Sequence, residues 1–201
     1  RVLPKVLDEC ASALLETRMR EHGVEVRCSV GIERIVRPAG GGLRILLACD
    51  DPAVEADLIV VGAGVRPDLG FLEGTRVRVA DDGAGILVDD RMRTSAPDIY
   101  AAGDVAETTD KFSGERVVIA IWPEALNQGR IAGLNMAGVP TKYEGSMAMN
   151  VTSVLGLPIA SLGLWQETDT TEYQIHSTLH ESKRNYRKLV FKDGKLVGAV
   201  L

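Results

Sequence analysis

Apolar side chains at Leu3, Val6, Leu7, Cys10, Leu14 and Met19 recur at mostly helical spacing, and Gly23 follows them. This predicts an amphipathic helix over Leu3–His22 that stops at the glycine. Val24–Val36 then alternates as a strand does, Gly40–Gly42 makes a loose turn, and Leu43–Ala48 returns, so an antiparallel pair follows the helix. Ala56–Val61 (ADLIVV) is a continuous apolar run of the kind buried on both faces of a sheet, and it ends in Gly62-Ala63-Gly64. Gly85–Val88 and Ile99–Ala102 are further short strands; the second starts after Pro97, which cannot occupy a central strand. Val117–Ile121 is another apolar run. It leads into Trp122 and Pro123, after which Ala125, Leu126, Gly129, Ala132, Gly133 and Met136 keep helical spacing until Gly138 and Pro140. The expectation is a helix that buries those small residues closely. Beyond Tyr143 the texture turns to strands: Ala148–Leu155, Ile159–Leu164, Glu172–Leu179, Tyr186–Phe191 and Leu196 onward. The last two are joined by Lys192-Asp193-Gly194-Lys195, a strong hairpin signal. Together these elements describe an α/β chain with a β-rich module from Glu144.

Composition narrows the function without naming it. The 201 residues are 45% apolar and 25% charged, as soluble globular proteins are, and no apolar run nears the ~20 residues of a membrane span. A net charge of −5 and a pI near 5.3 argue against nucleic acid as a partner. The basic stretch Lys183, Arg184, Arg187 and Lys188 reads as a solvated strand face. Cys10, Cys28 and Cys49 are far apart and form no C-x-x-C, so neither a disulfide framework nor a zinc ribbon is indicated. Reduced thiols and a cytoplasmic setting are expected, with Cys10 and Cys49 as small buried hydrophobes. His176 and His180 would share one face of a helix, but on a strand that spacing parts them by about 13 Å, which disfavours a metal pair. Gly62-Ala63-Gly64 is not the opening of a dinucleotide fingerprint, because Pro67 stands where glycine is needed. It is either a turn that lets the backbone leave the sheet or a place where backbone approaches a cofactor. There is neither a G-x-S-x-G elbow nor a P-loop, so hydrolase and nucleotide triphosphatase readings have no anchor.

One stretch carries more specific chemistry. In Thr94–Val105 (TSAPDIYAAGDV) an apolar strand runs straight into Asp104, and a carboxylate at the carboxyl end of a strand is well placed to meet a ligand. The string resembles the second FAD-binding motif of the pyridine nucleotide-disulfide oxidoreductases, flavoproteins with two dinucleotide-binding domains. The resemblance implies that Asp104 accepts a hydrogen bond from the ribityl chain of FAD and that Gly103 clears room beside it. Ala56–Asp68 (ADLIVVGAGVRPD) is similar to the segment that closes the NAD(P)H domain, with Gly62 and Gly64 near the cofactors. Trp122–Gly138 (WPEALNQGRIAGLNMAG) resembles the helix whose amino end, here Pro123, Glu124 and Ala125, faces the pyrimidine edge of the flavin ring. Met149–Gly163 is similar to the opening strands of the carboxyl-terminal interface domain.

The implied organisation places residues 1–67 in the NAD(P)H-binding domain, 68–143 in the second segment of the FAD-binding domain and 144–201 at the start of an interface domain. The implied fold is a partial two-dinucleotide-binding-domain flavoprotein, Rossmann-like. The implied function is an oxidoreductase passing electrons from NAD(P)H through FAD to a small molecule or a small redox protein. The residues look most similar to the NADH oxidase, coenzyme A-disulfide reductase, nitrite reductase and rubredoxin reductase branch. Neither glycine fingerprint of that family is found in the chain, so the resemblance implies a piece of a longer enzyme. By itself such a piece is expected to be inactive and to hold neither cofactor, and it assigns no catalytic residue. The competing reading is a non-catalytic assembly module whose β region pairs two chains as a homodimer. A stand-alone NAD-binding domain is weaker, because no phosphate-cradling glycine loop is present.

Overall fold

The computed structural model describes residues 1–48, 51–180 and 184–201; Cys49 and Lys183 lie outside the described residues. The chain is α/β and divides into two compact units, Arg1–Val65 and Arg66–Leu201. Among the described residues no helix is long and apolar enough to cross a membrane.

The first unit is one helix and a small antiparallel sheet. Helix α1 spans Glu9–Glu21 rather than starting at Leu3, because Asp8 adopts an extended backbone and its carboxylate caps the Ala11 amide at 3.0 Å. Residues Leu3–Leu7 form a separate turn, with the Leu7 amide on the Leu3 carbonyl at 2.9 Å. Leu7, Ser12 and Leu15 are the buried side of this unit, and Cys10 and Cys28 are only partly buried. Strands β1 (Ile32–Val36), β2 (Leu43–Leu47) and β3 (Val54–Ala56) lie in that order. The expected strand from Val24 forms only from Ile32, since Ser29 takes a left-handed backbone (φ 59°) that no strand accommodates. A larger correction concerns Ala56–Val61. Only Ala56 is in a strand, and Leu58, Val60 and Val61 are 78%, 86% and 74% exposed. A continuous apolar run signals burial on both faces only if strands lie beside it, and none of the described strands pairs with 57–61.

In the second unit, β4 (Ile86–Leu87) pairs in parallel with β5 (Ala106–Thr109), and β5 pairs antiparallel with β6 (Arg116–Val117). Ile86, Val88, Met92, Ala101, Ala106, Ile131, Ala132 and Tyr143 form the core. Gly85 is required there, since a Cβ would stand 2.7 Å from Val118. The expected strand Ile99–Ala102 is reduced to one bridge, Arg93 to Tyr100, and the strand comes after Asp104 instead of before it.

Helix α2 (Trp122–Met136) has the expected bounds but not the expected face. Gln128, Ile131 and Ala132 are buried, whereas Leu126, Gly129, Gly133 and Met136 point to solvent. The buried stripe is turned by one residue because it contains polar side chains that are hydrogen-bonded, and an apolar periodicity cannot count those.

The β-rich module is a five-stranded antiparallel sheet ordered β7 (Met149–Val154), β8 (Leu157–Gly163), β11 (Lys195–Val200), β10 (Asn185–Lys192), β9 (Gln174–His180). Asp193 and Gly194 both have positive φ (50° and 72°), the requirement of a two-residue turn that matches strand twist. His176 and His180 lie on β9, and among the described residues no cluster of three potential metal ligands occurs. Lys188 departs from the solvated-face expectation: it is 6% exposed and its ammonium donates to the carbonyls of Trp165 (2.8 Å) and Glu167 (3.0 Å). The strand alternates correctly, but the loop Trp165–Glu167 folds over that face and supplies acceptors.

Asp89 organises the loop that leads to Tyr100. Its carboxylate accepts from the amides of Arg91 (2.8 Å) and Arg93 (2.9 Å) and from the Arg93 guanidinium (2.8 Å), which holds the buried Met92 at φ 64°. Burial pushes the Asp89 carboxyl up, but the Arg93 and Arg91 amides and the Arg93 side chain outweigh it, so its pKa lies below the ordinary value. A depressed carboxylate contributes stability above its unfolded pKa and loses it as the pH falls through the folded one. Asp89→Asn should therefore lower the unfolding free energy measured in urea at neutral pH, by under about 1 kcal/mol given its partial exposure. The gap to wild type should narrow as the pH falls through the folded-state pKa and close once the carboxyl is protonated in both states. A pH-independent gap would show that the carboxylate charge is not what holds this loop.

Candidate functional site

The turn that carries Asp104 sits against the amino end of α2. Gly103 takes φ 82°, where glycine is at ease, and a Cβ added there would lie 3.5 Å from the Cβ of Ala125. The Ala106 amide closes the turn on the Gly103 carbonyl at 2.9 Å. Asp104 is exposed at the tip. The fold thus brings the Gly103–Asp104 turn against Ala125, a residue well removed from it in sequence. Ile121 is the N-cap of α2 in an extended conformation, no side-chain hydrogen bond caps the helix, and Pro123 lies in its first turn. Such an end presents roughly half a positive charge and favours anions or electron-rich atoms.

Glu124, in the same first turn, is used differently. It accepts the hydroxyl proton of Tyr143 on one oxygen and the Met147 amide on the other at 3.1 Å. Tyr143 has a single proton and gives it to Glu124, so its oxygen accepts from the Ser146 hydroxyl (2.8 Å) and the Gln128 amide (3.4 Å). Ser146 in turn meets the Thr108 hydroxyl at 2.5 Å. Burial and the hydrogen bond to Glu124 push the Tyr143 phenol above its ordinary pKa, which keeps it a donor. The far end of Gln128 accepts from the Gly103 amide at 2.8 Å. One chain of hydrogen bonds therefore runs from β5 through Ser146, Tyr143 and Gln128 to the turn that holds Asp104.

Gly62 and Gly64 belong to the first unit, where a Cβ on either would meet no atom within 4 Å. Gly64 has φ 88° and suits a turn, and nothing packs on it. A cavity of about 320 Å³ is lined by Asp89, Asp90, Thr108, Arg116, Tyr143 and Glu144. Asp89 is held by Arg93, Asp90 by Lys142 (2.8 Å), and Arg116 by Glu107 (3.2 Å), so these charges are satisfied internally. Gln128, Tyr143, Ser146 and Thr108 are the residues that sequence reasoning missed. A signal for Gln128 was present: Glu124 and Gln128 are one turn apart, in phase with Ile131 and Asn135.

Residues 1–129 match the family model described as pyridine nucleotide-disulphide oxidoreductase. The chain belongs to the pyridine nucleotide-disulphide oxidoreductases. Residues 149–201 also match the rubredoxin NAD+ reductase C-terminal domain. This oxidoreductase-family chain is 34% identical over 194 residues to the NADH-dependent phenylglyoxylate dehydrogenase subunit epsilon of Aromatoleum evansii, covering 95% of the chain and 44% of the relative. It is 30% identical over 204 residues to the NAD(P)H nitrite reductase of Bacillus subtilis, covering 100% of the chain and 23% of the relative. The water-forming NADH oxidase of Lactobacillus brevis, solved bound to NADH, aligns with a TM-score of 0.83 and 29% identity over 100% of this chain and 46% of that one. The chain thus spans less than half the length of these relatives.

In this family member, Tyr143→Phe should keep the ring in the core while removing the donor to Glu124. The expected cost is about 1–3 kcal/mol of unfolding free energy, because a partly buried carboxylate loses a partner. Chemical denaturation measures it, and a change within about 0.5 kcal/mol would show the network to be incidental.

Proposed function

We propose that the polypeptide to which these residues belong passes electrons from NAD(P)H through FAD to an acceptor, and that this chain supplies the carboxylate and the helix end that hold the flavin. The observation that carries the reading is the packing of the Gly103–Asp104 turn, with Asp104 exposed, against Ala125 in the first turn of α2. An ionised carboxylate is acceptor-only, which suits the hydroxyls of a polyol. A helix end without a side-chain cap suits the electron-rich edge of a ring, and Gly103 and Ala125 keep side chains out of the space between. FAD, when bound, supplies two-electron redox chemistry. Asp104 would orient its ribityl chain, and Pro123, Glu124 and Ala125 would form the helix end at the ring, with the Glu124 carboxylate turned away onto Tyr143 and Met147.

Residues 1–67 are assigned to the NAD(P)H-binding part, with Gly62 and Gly64 close to the cofactors, and residues 68–143 to the FAD-binding part. The exposed run Leu58–Val61 supports this assignment, since the rest of a nucleotide-binding sheet would cover it. A small redox protein as acceptor is supported by the match of residues 149–201 to a rubredoxin reductase domain. A small-molecule acceptor is the alternative, supported by the nitrite reductase relative. We place the enzyme in the cytoplasm and assign residues 144–201 to an interface through which two copies pair. Sedimentation of the full-length parent checks the last point, and a strictly monomeric species removes it.

The decisive test is Asp104→Ala in the full-length parent, with FAD affinity followed by flavin fluorescence. Loss of a hydrogen bond to a charged group should raise Kd about tenfold to a hundredfold and leave a paler preparation with slower NAD(P)H oxidation. Unchanged retention of the yellow cofactor would defeat the assignment.

A further inference from the structure

We propose that Gln128 is a positioning residue: it fixes the backbone of the Gly103–Asp104 turn and so sets the direction in which the Asp104 carboxylate is offered. The purpose rests on the FAD reading above, but the geometry does not. Gln128 is 1% exposed on α2, one helical turn beyond Glu124. Its Oε1 accepts from the Gly103 amide at 2.8 Å. Its Nε2 donates to the Tyr143 oxygen at 3.4 Å.

The amide of Gln128 can sit only one way round. The Tyr143 proton is committed to Glu124, so the phenol oxygen needs a donor, while the Gly103 N–H needs an acceptor. Reversing the side chain would set two donors against each other at Gly103 and turn an acceptor onto the phenol oxygen, which can only accept and would be left with Ser146 as its donor. Gly103 is the most permissive residue of the turn and sits at φ 82°, and its amide is anchored to a side chain of the helix that the flavin would face. The backbone that carries Asp104 is thereby fixed to the helix, as a bound group would require.

The experiment uses the full-length parent stripped of cofactor, with Gln128→Met and Gln128→Glu beside Asp104→Ala. Amide exchange at Gly103 and FAD affinity are both read. Methionine keeps the volume and removes both hydrogen bonds, whereas glutamate, which burial beside the Glu124 carboxylate keeps protonated, retains an acceptor for Gly103 and a donor for Tyr143. With Gln128→Met, Gly103 exchange should quicken at least about tenfold and the FAD Kd should rise about tenfold. With Gln128→Glu, exchange should stay slow and Kd should remain within about threefold of wild type. The proposal fails if Gln128→Met leaves both unchanged, or if Gln128→Glu does as much harm as Gln128→Met. Should Gln128→Met not fold, the wild type decides: a Gly103 amide exchanging as fast as that of exposed Asp104 refutes the anchor. Faster Gly103 exchange in Gln128→Met alongside an Asp104→Ala variant with normal FAD affinity would uphold the anchor and overturn only the flavin reading.

Discussion

The Glu124 carboxylate is the constraint on which the second unit depends. It sits at the amino end of α2, half-buried, where loss of a hydrogen-bond partner costs about 1–3 kcal/mol. Its partners are Tyr143, in the segment that leaves the helix, and the Met147 amide, just before β7. Satisfying one charge therefore ties three parts of the chain together: the helix end, the connecting segment and the entry to the five-stranded sheet. Tyr143 extends the tie to β5 through Ser146 and Thr108, and to the Gly103 turn through Gln128.

The two acidic residues near this helix end divide the labour. Glu124 has its acceptors occupied by a phenol and an amide, and it is spent on structure. Asp104 stands exposed at the tip of a glycine turn, so its lone pairs face solvent and any ligand that arrives. The amino end of α2 favours negative charge nearby, which eases the presence of both. Glu124 is committed to Tyr143 and Met147, and no side-chain hydrogen bond caps the helix; under the function proposed above, that end and the Asp104 turn would serve a cofactor with a polyol arm and an electron-rich ring.

Much of the architecture was legible along the chain. The bounds of α2 followed from Pro123 and Gly138, the succession of five strand segments along the chain from alternation after Tyr143, and the β10–β11 turn from Asp193-Gly194, because each rests on local backbone preferences. Asp104 stood out for a related reason: a charge at the end of an apolar segment is a local anomaly. The failures share a cause as well. The phase of α2, the burial of Lys188 and the exposure of Leu58–Val61 all depend on what packs against the element from elsewhere in the chain.

Sequence by itself determined which residues are permissive, which are charged and where helices and strands can begin and end, since these are properties of a few neighbouring residues. It also carried the family pattern around Asp104. Only the tertiary structure decided that Gln128 faces inward, that Tyr143 gives its proton to Glu124, and that Gly103 lies against Ala125. A buried polar side chain is stable only where partners from distant segments meet it, and the hydrogen bonds that select such a position exist only once the chain has folded around them.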